Sequence, residues 1–417
     1  MGALFSDATR ILTEIYLRDE IADLVYREHA FLADVTKVDD FYGVTEREAI
    51  KIGAPDATSA NPDVAYGTGS SAGTMIDAYG AFTGTQFALY NRAILDRQAV
   101  MACSTKEALS NLLEDATDLM LEAMGNRMAQ WNYGNATSSV ASYASNSGEV
   151  WTLTNPDDAA KFFRNQEYQV YNGSGPSLRT ITAAAGYSPL GAGTAIRVAS
   201  VDEDAGTVTF TAGDTAAVGS LTAGDFLLPS GDTGGTGAWP GLASWIPKTA
   251  PTSTTFFGQD RTKGGLRLSG VRLDKPTQRI TASIRKVGEK IKYVTKRRPD
   301  KCYIHPLNFT AMVEQEKLHQ HTMEVTLKSG FSTVQVMIGG GSVDVVSDPD
   351  CPLDTGYVIT SKTWKIRHMG GLPHLVDDGG GQLMQPLLGT NSFMIKGAAY
   401  GWLVCNAPGA NGTFTIG

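Results

Sequence analysis

Cysteine is scarce and scattered. The four thiols of this 417-residue chain, Cys103, Cys302, Cys351 and Cys405, form no C-x-x-C pair. That spacing excludes a disulfide scaffold and a cysteine-based zinc site, and it fits reduced thiols in a cytosolic product. No apolar run approaches the ~20 residues of a membrane-spanning helix, so no membrane partner is expected. The opening MGALFSDATR lacks a basic region followed by an apolar one and does not read as a signal peptide. Ser6 occupies the sixth position of a myristoylation pattern, but with no basic patch behind it the residue reads as a helix cap. Charge of one sign is weak too. With 35 basic and 43 acidic side chains the net charge is −8, which argues against wrapping nucleic acid with the whole surface.

The familiar chemical motifs are missing or out of context. No phosphate-binding G-x-x-x-x-G-K-[ST] occurs. Gly69-Ser70-Ser71-Ala72-Gly73 matches G-x-S-x-G, but a nucleophile elbow needs an apolar strand before it and a helix after it. Gly67 to Ala72 fits a loose dinucleotide fingerprint and fails for the same reason. His319 and His321 stand two apart, a spacing that diverges on a helix, and no cysteine nearby completes a metal set. His368 and His374 flank Met369-Gly370-Gly371-Leu372-Pro373 without a recognisable nucleophile. No catalytic residue, metal ligand or cofactor site is therefore assigned.

What is there is mostly architecture. The 417 residues suffice for two or three domains, and the 46 glycines point to many turns. Ser104-Thr105-Lys106-Glu107 has capping-box spacing. Behind it Leu109, Leu112, Leu113, Ala116, Met120, Ala123 and Met124 recur at helical period, opposite Glu114, Asp115, Asp118, Glu122 and Arg127. A helix over 104–132 would be a rod of roughly 44 Å, long enough to serve as the spine of a subunit. Residues 6–33 read as an amphipathic helix that must dock on its own body or on a neighbour.

From Gly53 to about Gln98 a Gly/Ser/Thr-rich run gives way to Met75, Tyr79, Phe82, Phe87, Leu89 and Tyr90. The spacing predicts a long projecting hairpin, with Gly80 and Gly84 as turning points. A surface loop is the other reading. Residues 195–201 and 207–211 alternate as strands around the turn Asp204-Ala205-Gly206, and Phe226 to Leu228 makes another. Together they form a small all-β module, a barrel by expectation, over 181–250. Asp274-Lys275-Pro276 should open a helix with Ile280, Ile284, Val287 and Ile291 on one face. Cys302–His305 is a strand leading through Pro306 into a helix. Strands follow at 334–338, 343–346, 357–360 and 364–367, and a last one over 392–406 precedes a turn and a short tail. The class is α+β. Between Arg285 and Lys301 lie eight cations against Glu289 and Asp300. This patch suits a nucleic-acid backbone or an acidic neighbour, or is simply a solvated helix face.

The order of these pieces resembles a tailed-bacteriophage major capsid protein, the fold shared with encapsulin shells and herpesvirus capsid floors. The motifs that carry the likeness are Pro299-Asp300-Lys301-Cys302-Tyr303-Ile304-His305-Pro306 before a helix, and Val343 to Pro352 followed by Gly356-Tyr357-Val358-Ile359. The resemblance implies an N-terminal arm (1–52), an E-loop hairpin (53–100) and a peripheral domain (101–180) carrying the spine. It further implies an axial domain with returning peripheral strands over 251–417, the β module being an insertion. It implies self-assembly through hexamers and pentamers into an icosahedral head around double-stranded DNA, in the virion after assembly in the host cytoplasm. Portal and scaffolding proteins, and a decoration protein, are the implied partners. Tyr79, Phe82, Phe87 and Tyr90 are the expected inter-subunit contacts. Some relatives cross-link through an E-loop lysine. No lysine occurs here between Lys51 and Lys106, so the expected shell is non-covalent. An encapsulin-like compartment is the alternative in the same class, and a hydrolase around Ser71 the alternative in another.

Overall fold

The computed structural model describes residues 29–52, 60–65, 79–97, 100, 106–173, 177–179, 195–218, 221–230, 237–252, 255–317, 325–328, 331–377, 384–387 and 391–417. Most of the N-terminal arm, the start of the expected capping box, Ser71, His319 and His321 lie outside these residues. The chain divides into two units, residues 1–133 with 240–417, and residues 134–239.

The larger unit is built on two mixed sheets and one long helix. Helix α1 (Ala30–Asp34) precedes strand β1 (Thr36–Val38), and β2 (Thr45–Lys51) pairs antiparallel with β3 (Tyr79–Thr85). Strand β4 (Phe87–Asp96) follows after the single residue Gln86, yet it belongs to a different sheet. There it runs antiparallel to residues 392–401 in an unbroken ten-residue register, from Asp96 opposite Ser392 to Phe87 opposite Gly401. The hairpin expected over 53–100 is thus corrected. Its ladder is residues 45–51 against 79–85, and Phe87 and Tyr90 lie on a body strand. An uninterrupted apolar run at β-spacing looks the same whether or not its partner changes midway.

Helix α2 (Lys106–Tyr133) is the 28-residue spine. Its apolar period buries Leu113, Met120, Leu121, Met124 and Met128 and leaves Glu114, Asp115 and Glu122 exposed. Met120 and Met124 sit under Gly397, where a Cβ would come within 3.0 Å of both side chains. The spine therefore packs directly against the sheet that carries β4.

Residues 134–239 hold a closed six-stranded barrel, β10-β5-β6-β9-β8-β7. In chain order these are β5 (Ala141–Ser147), β6 (Val150–Leu153), β7 (Glu167–Tyr171), β8 (Ile196–Asp202), β9 (Thr207–Phe210) and β10 (Phe226–Pro229). The barrel is larger than the 181–250 module expected from sequence, because residues 141–171 supply half its strands. Trp151, Val170, Ile196, Val198, Val208, Phe210 and Leu227 fill it. Trp151 packs against Phe210 with ring centroids 4.6 Å apart and planes tilted by 60°, and it donates its indole N–H to Thr215 Oγ1 at 2.8 Å. Closure leaves no free sheet edge.

In the larger unit, β11 (Thr255–Phe256) and β12 (Gln259–Asp260) form a two-stranded ribbon. The remaining strands are β13 (Val271–Leu273), β14 (Lys301–Ile304), β15 (Val325–Lys328), β16 (Phe331–Ile338), β17 (Gly341–Ser347), β18 (Thr355–Ile359), β19 (Trp364–His368), β20 (His374–Val376), β21 (Met384–Pro386), β22 (Ser392–Cys405) and β23 (Gly412–Thr415). A seven-stranded sheet runs β13-β23-β18-β14-β17-β16-β15. Helix α3 (Ile280–Thr295) lays Ile284, Val287 and Ile291 on it, and α4 (Pro306–Lys317) contributes Met312. The expected start of α3 at Asp274 is corrected. Pro276 lies in a turn and the first helical residue is Ile280. The expected tail is corrected as well. Residues 412–415 are a buried strand between β13 and β18. Asn411 fixes its entry, accepting from Thr360 N–H at 2.8 Å and Trp364 Nε1 at 3.0 Å while donating to Ala407 O at 3.0 Å.

Candidate assembly interface

The β4·β22 pair has two unlike faces. One rests on the spine, where Asn91 also donates to the Met120 carbonyl at 3.2 Å. The alternate residues of β4 point the other way, and Tyr90 (67% exposed) and Ile94 (49%) stand in solvent. Tyr90 lies edge-on to Tyr400 at 5.7 Å, with His374 on the other side of Tyr400 at 5.5 Å. Arg92 and Asp96 are exposed on the same row, so this outer face sets two large apolar side chains between charged ones.

Of the four aromatic residues expected to meet neighbours, Tyr90 is thus on the outer face of the body sheet and Tyr79, at the far end of the β2–β3 ladder, is 56% exposed. Phe87 is half-buried. Phe82 is a correction: it is fully buried, edge-on to Trp245 at 4.9 Å and to Phe256 at 6.3 Å. It holds the ladder to its own subunit. Three further contacts do the same. Thr83 N–H donates to Phe257 O at 2.9 Å, and Gln259 Nε2 donates to Ala81 O at 2.9 Å. At Gly84 a Cβ would meet the Trp402 ring at 2.2 Å. That glycine permits close packing and does not turn the chain. Arg261 stacks over Phe256 at 4.1 Å, and burial holds its guanidinium down at about 10.

Charges fix the same end of the ladder from the β2 side, where Glu46 and Glu48 pair with Gly84 and Phe82. Arg367 on β19 donates to Glu46, reaches Glu48 Oε2 at 2.5 Å, and lies 3.5 Å from Asp40. Burial raises the Glu48 carboxyl above its ordinary range; Lys365 opposes the shift and Asp40 adds to it. One guanidinium therefore bridges three converging carboxylates, with Lys365 Nζ a second cation 3.8 Å from Glu48. Replacing Arg367 by Ala leaves them facing each other, which should cost about 3–5 kcal/mol. Arg367→Lys should recover only part of that, since a point charge cannot bridge two carboxylates in parallel. Urea unfolding of the free subunit, followed by the amide protection of residues 45–51, reads the loss.

A second buried cluster anchors α1. Asp348 is 1% exposed and accepts three hydrogen bonds, from Phe31 N–H at 2.8 Å, Tyr133 O–H at 2.8 Å and Asp350 N–H at 3.0 Å. His29 bridges Asp350 Oδ2 at 2.6 Å and Asn126 Oδ1 at 2.8 Å. Burial, with the charge of Asp350 added, pushes Asp348 up to about 6 against the pull of its donors. Burial alone would lower His29, yet Asp350, Asn126 and Asp348 together raise it. The arm is thus tied where the spine ends. The sequence carried no sign of this node, whose members are up to 321 positions apart.

The remaining sequence candidates are structural. His368 Nδ1 faces Gly370 O at 2.7 Å and His374 Nδ1 faces Gly371 O at 2.9 Å, each shaping the 369–373 loop. Cys302, Cys351 and Cys405 are buried free thiols, and burial pushes Cys405 up to about 12. Among the described residues no group of three or more His, Cys, Asp or Glu could hold a metal.

No family model and no curated protein sequence matches the chain. Solved structures do. The cyanophage A-1(L) capsid is similar over 93% of this chain and 92% of its own, at 10% identity and a TM-score of 0.48. The holo-SrpI encapsulin of Synechococcus elongatus PCC 7942 is similar over 92% and 85%, at 8% identity and 0.46. The satellite phage P4 procapsid is similar over 96% and 99%, at 9% identity and 0.44. At such identities the likeness concerns the path of the backbone and assigns no residue a role.

Proposed function

We propose that this chain is a structural shell protein, the major capsid protein of an icosahedral, tailed-phage-like head enclosing double-stranded DNA. The observation that carries the reading is the one-sided β4·β22 sheet. Its inner face rests on the spine, and its outer face presents Tyr90 and Ile94 with no cover from the described subunit. Hidden apolar surface stabilises by roughly 25 cal/mol per Å², so a few hundred Å² against each neighbour holds subunits together without covalent bonds. The absence of lysine between Lys51 and Lys106 agrees with a non-covalent shell. Hexamers and pentamers are the expected building blocks, with a separate scaffolding protein, a portal and packaged DNA as partners. The barrel of residues 134–239 is the natural seat for a decoration protein.

Electron microscopy of the purified chain, alone and with its scaffold, tests this. Closed shells or uniform rings containing DNA after packaging are the expected result. Shells that instead enclose protein and no DNA would assign the chain to an encapsulin-like compartment. A dispersed monomer under every assembly condition would overturn both.

A further inference from the structure

We propose that the outward face of α3 and the groove at its C-terminal end form a nucleic-acid-binding band that grips the phosphate backbone without reading sequence. The inference rests on the shell reading only for the source of the polyanion. The unneutralised charge belongs to the subunit itself.

Helix α3 buries Ile280, Ile284, Val287, Gly288 and Ile291 against the seven-stranded sheet. At 3.6 residues per turn the opposite arc is made of Arg285, Lys286, Lys290, Lys292 and Lys296, all exposed. Where the helix ends, the band continues into an open groove of about 840 Å³. Its cations are Lys51, Arg297, Arg298 and Lys362, and its hydroxyls are Ser342, Thr360 and Thr363.

The decisive feature is what these cations touch. Lys286 donates to Gln278 Oε1 at 3.0 Å, and Lys290 to the Arg272 carbonyl at 3.3 Å. Lys292 donates to Gly339 O at 2.5 Å, and Arg298 donates to Gly340 O. Every partner is neutral. The two carboxylates within the band are turned to backbone amides instead: Glu289 accepts from Gly339 N–H at 2.5 Å, and Asp300 accepts from Ser361 N–H at 2.7 Å. None of the nine cations makes an ion pair among the described residues. Elsewhere the chain pairs its bases with acids, as at Arg367, Arg179 and Arg197.

Favourable placement at a helix C-terminus explains Lys292 and Lys296. It does not explain Arg285 in the first half of the helix, or Lys51 brought in from β2 and Lys362 from the turn between β18 and β19. A concentrated, unneutralised positive surface in a chain of net charge −8 is suited to a dense line of negative charge. Duplex DNA carries one charge per ~1.7 Å, and α3 spans about 24 Å, so several phosphates lie within reach together. Tyr293, 78% exposed with Lys296 Nζ at 5.4 Å from its ring, adds a face on which a sugar or an unpaired base can rest.

The test is anisotropy titration of a fluorescent 30-base-pair duplex by the full-length unassembled protein across 50–200 mM salt. The band variant is Arg285→Gln, Lys296→Gln, Arg297→Gln, Lys362→Gln. The side chains of these residues donate no hydrogen bond within the described residues, so the fold should persist, which a melting curve verifies. The expected result is a salt slope reduced by up to about 3.6 and affinity at 50 mM salt weakened by more than tenfold. Arg47→Gln with Arg164→Gln, both exposed and outside the band, should leave the slope within about 1 of the parent. Lys286→Gln with Lys290→Gln provides a second variant confined to the helix, with a smaller reduction. An unchanged slope in both band variants overturns the proposal. So does loss of particles with DNA titration intact, which would assign the band to an acidic surface of a second copy. Band-dependent DNA binding by a protein that never forms shells leaves this proposal standing and removes the capsid reading.

Discussion

Tyr90→Asp combined with Ile94→Asp should leave a folded subunit that forms no particles. Both side chains point away from the spine on alternate positions of β4, so neither substitution disturbs the layer packed on Met120 and Met124. Exposed positions of this kind change subunit stability by about 0.5 kcal/mol or less. At an interface the same two changes bury two carboxylates beside Arg92 and remove an aromatic anchor. Either loss alone is worth about 2 kcal/mol or more, and every subunit of a shell repeats it. Particle yield should fall by more than 100-fold while the denaturation midpoint of the free subunit stays put. Size-exclusion chromatography with negative-stain imaging measures the first and urea unfolding the second. Phe82→Asp is the contrasting case. It should unfold the root of the ladder before assembly is ever attempted, because Phe82 lies between Trp245 and Phe256. Wild-type yield from the β4 double variant would remove the sheet face from the interface.

Asp348→Ala should be strongly destabilising for a single change away from the sheet cores. It strands the buried donors of Phe31, Tyr133 and Asp350, at about 1–3 kcal/mol each, and the relief of a buried charge offsets part of this. A net loss of about 3 kcal/mol follows. The pH dependence has a definite sign. Asp348 is raised in the fold, so the native state holds its proton more tightly than the unfolded chain. Its contribution is fully present below about pH 4 and is lost as pH rises to about 6. His29 is raised as well; its contribution is present below its ordinary value of 6.5 and is lost as pH climbs through the higher native value. Both groups make the α1 anchor firmer in mild acid than at pH 8. Amide exchange at Phe31, after correction for intrinsic rates, should slow as pH falls from 8 to 5. The Asp348→Ala variant should lose the part of that trend lying below pH 6. Faster corrected exchange at pH 5 than at pH 8 in the parent would reverse the assignment.

Much of the body was legible because its signals are local. The spine announces itself through its period, and β16, β17 and β18 are apolar alternations between turns. The barrel was only half visible. Strand β5 reads ASYASNS, a composition poor in β-formers, and it is a strand because β6 and β10 bond its two edges. Strand β23, GTFT, has β-formers but only four residues, and it follows directly on the turn signals of Pro408 to Gly412, so it looked like a tail. Its Gly412 is small because a Cβ would strike Val287 and the Val271 carbonyl. The aromatic run from Tyr79 to Tyr90 misled by continuity. Its first half is partnered by residues 45–51 and its second by residues 392–401, and no local pattern encodes a partner 300 positions away. The ion clusters at Arg367 and Asp348 are invisible for that reason too. The basic run was plain in sequence, but whether acids answered it could only be seen in three dimensions.

The root of the β2–β3 ladder sets a mechanical condition on any assembly. Between Ala81 and Gly84 every residue is clamped to the body: two by backbone hydrogen bonds, one by a ring in an aromatic box, and one by a tryptophan that leaves no room for a methyl group. Such a root behaves like a beam set in masonry, which fixes the angle of departure and passes load into Trp402 and the strand behind it. In the shell proposed above, subunits in pentamers and hexamers would meet their neighbours at different inclinations. With the root built in, that difference in curvature would have to be taken up elsewhere in the subunit.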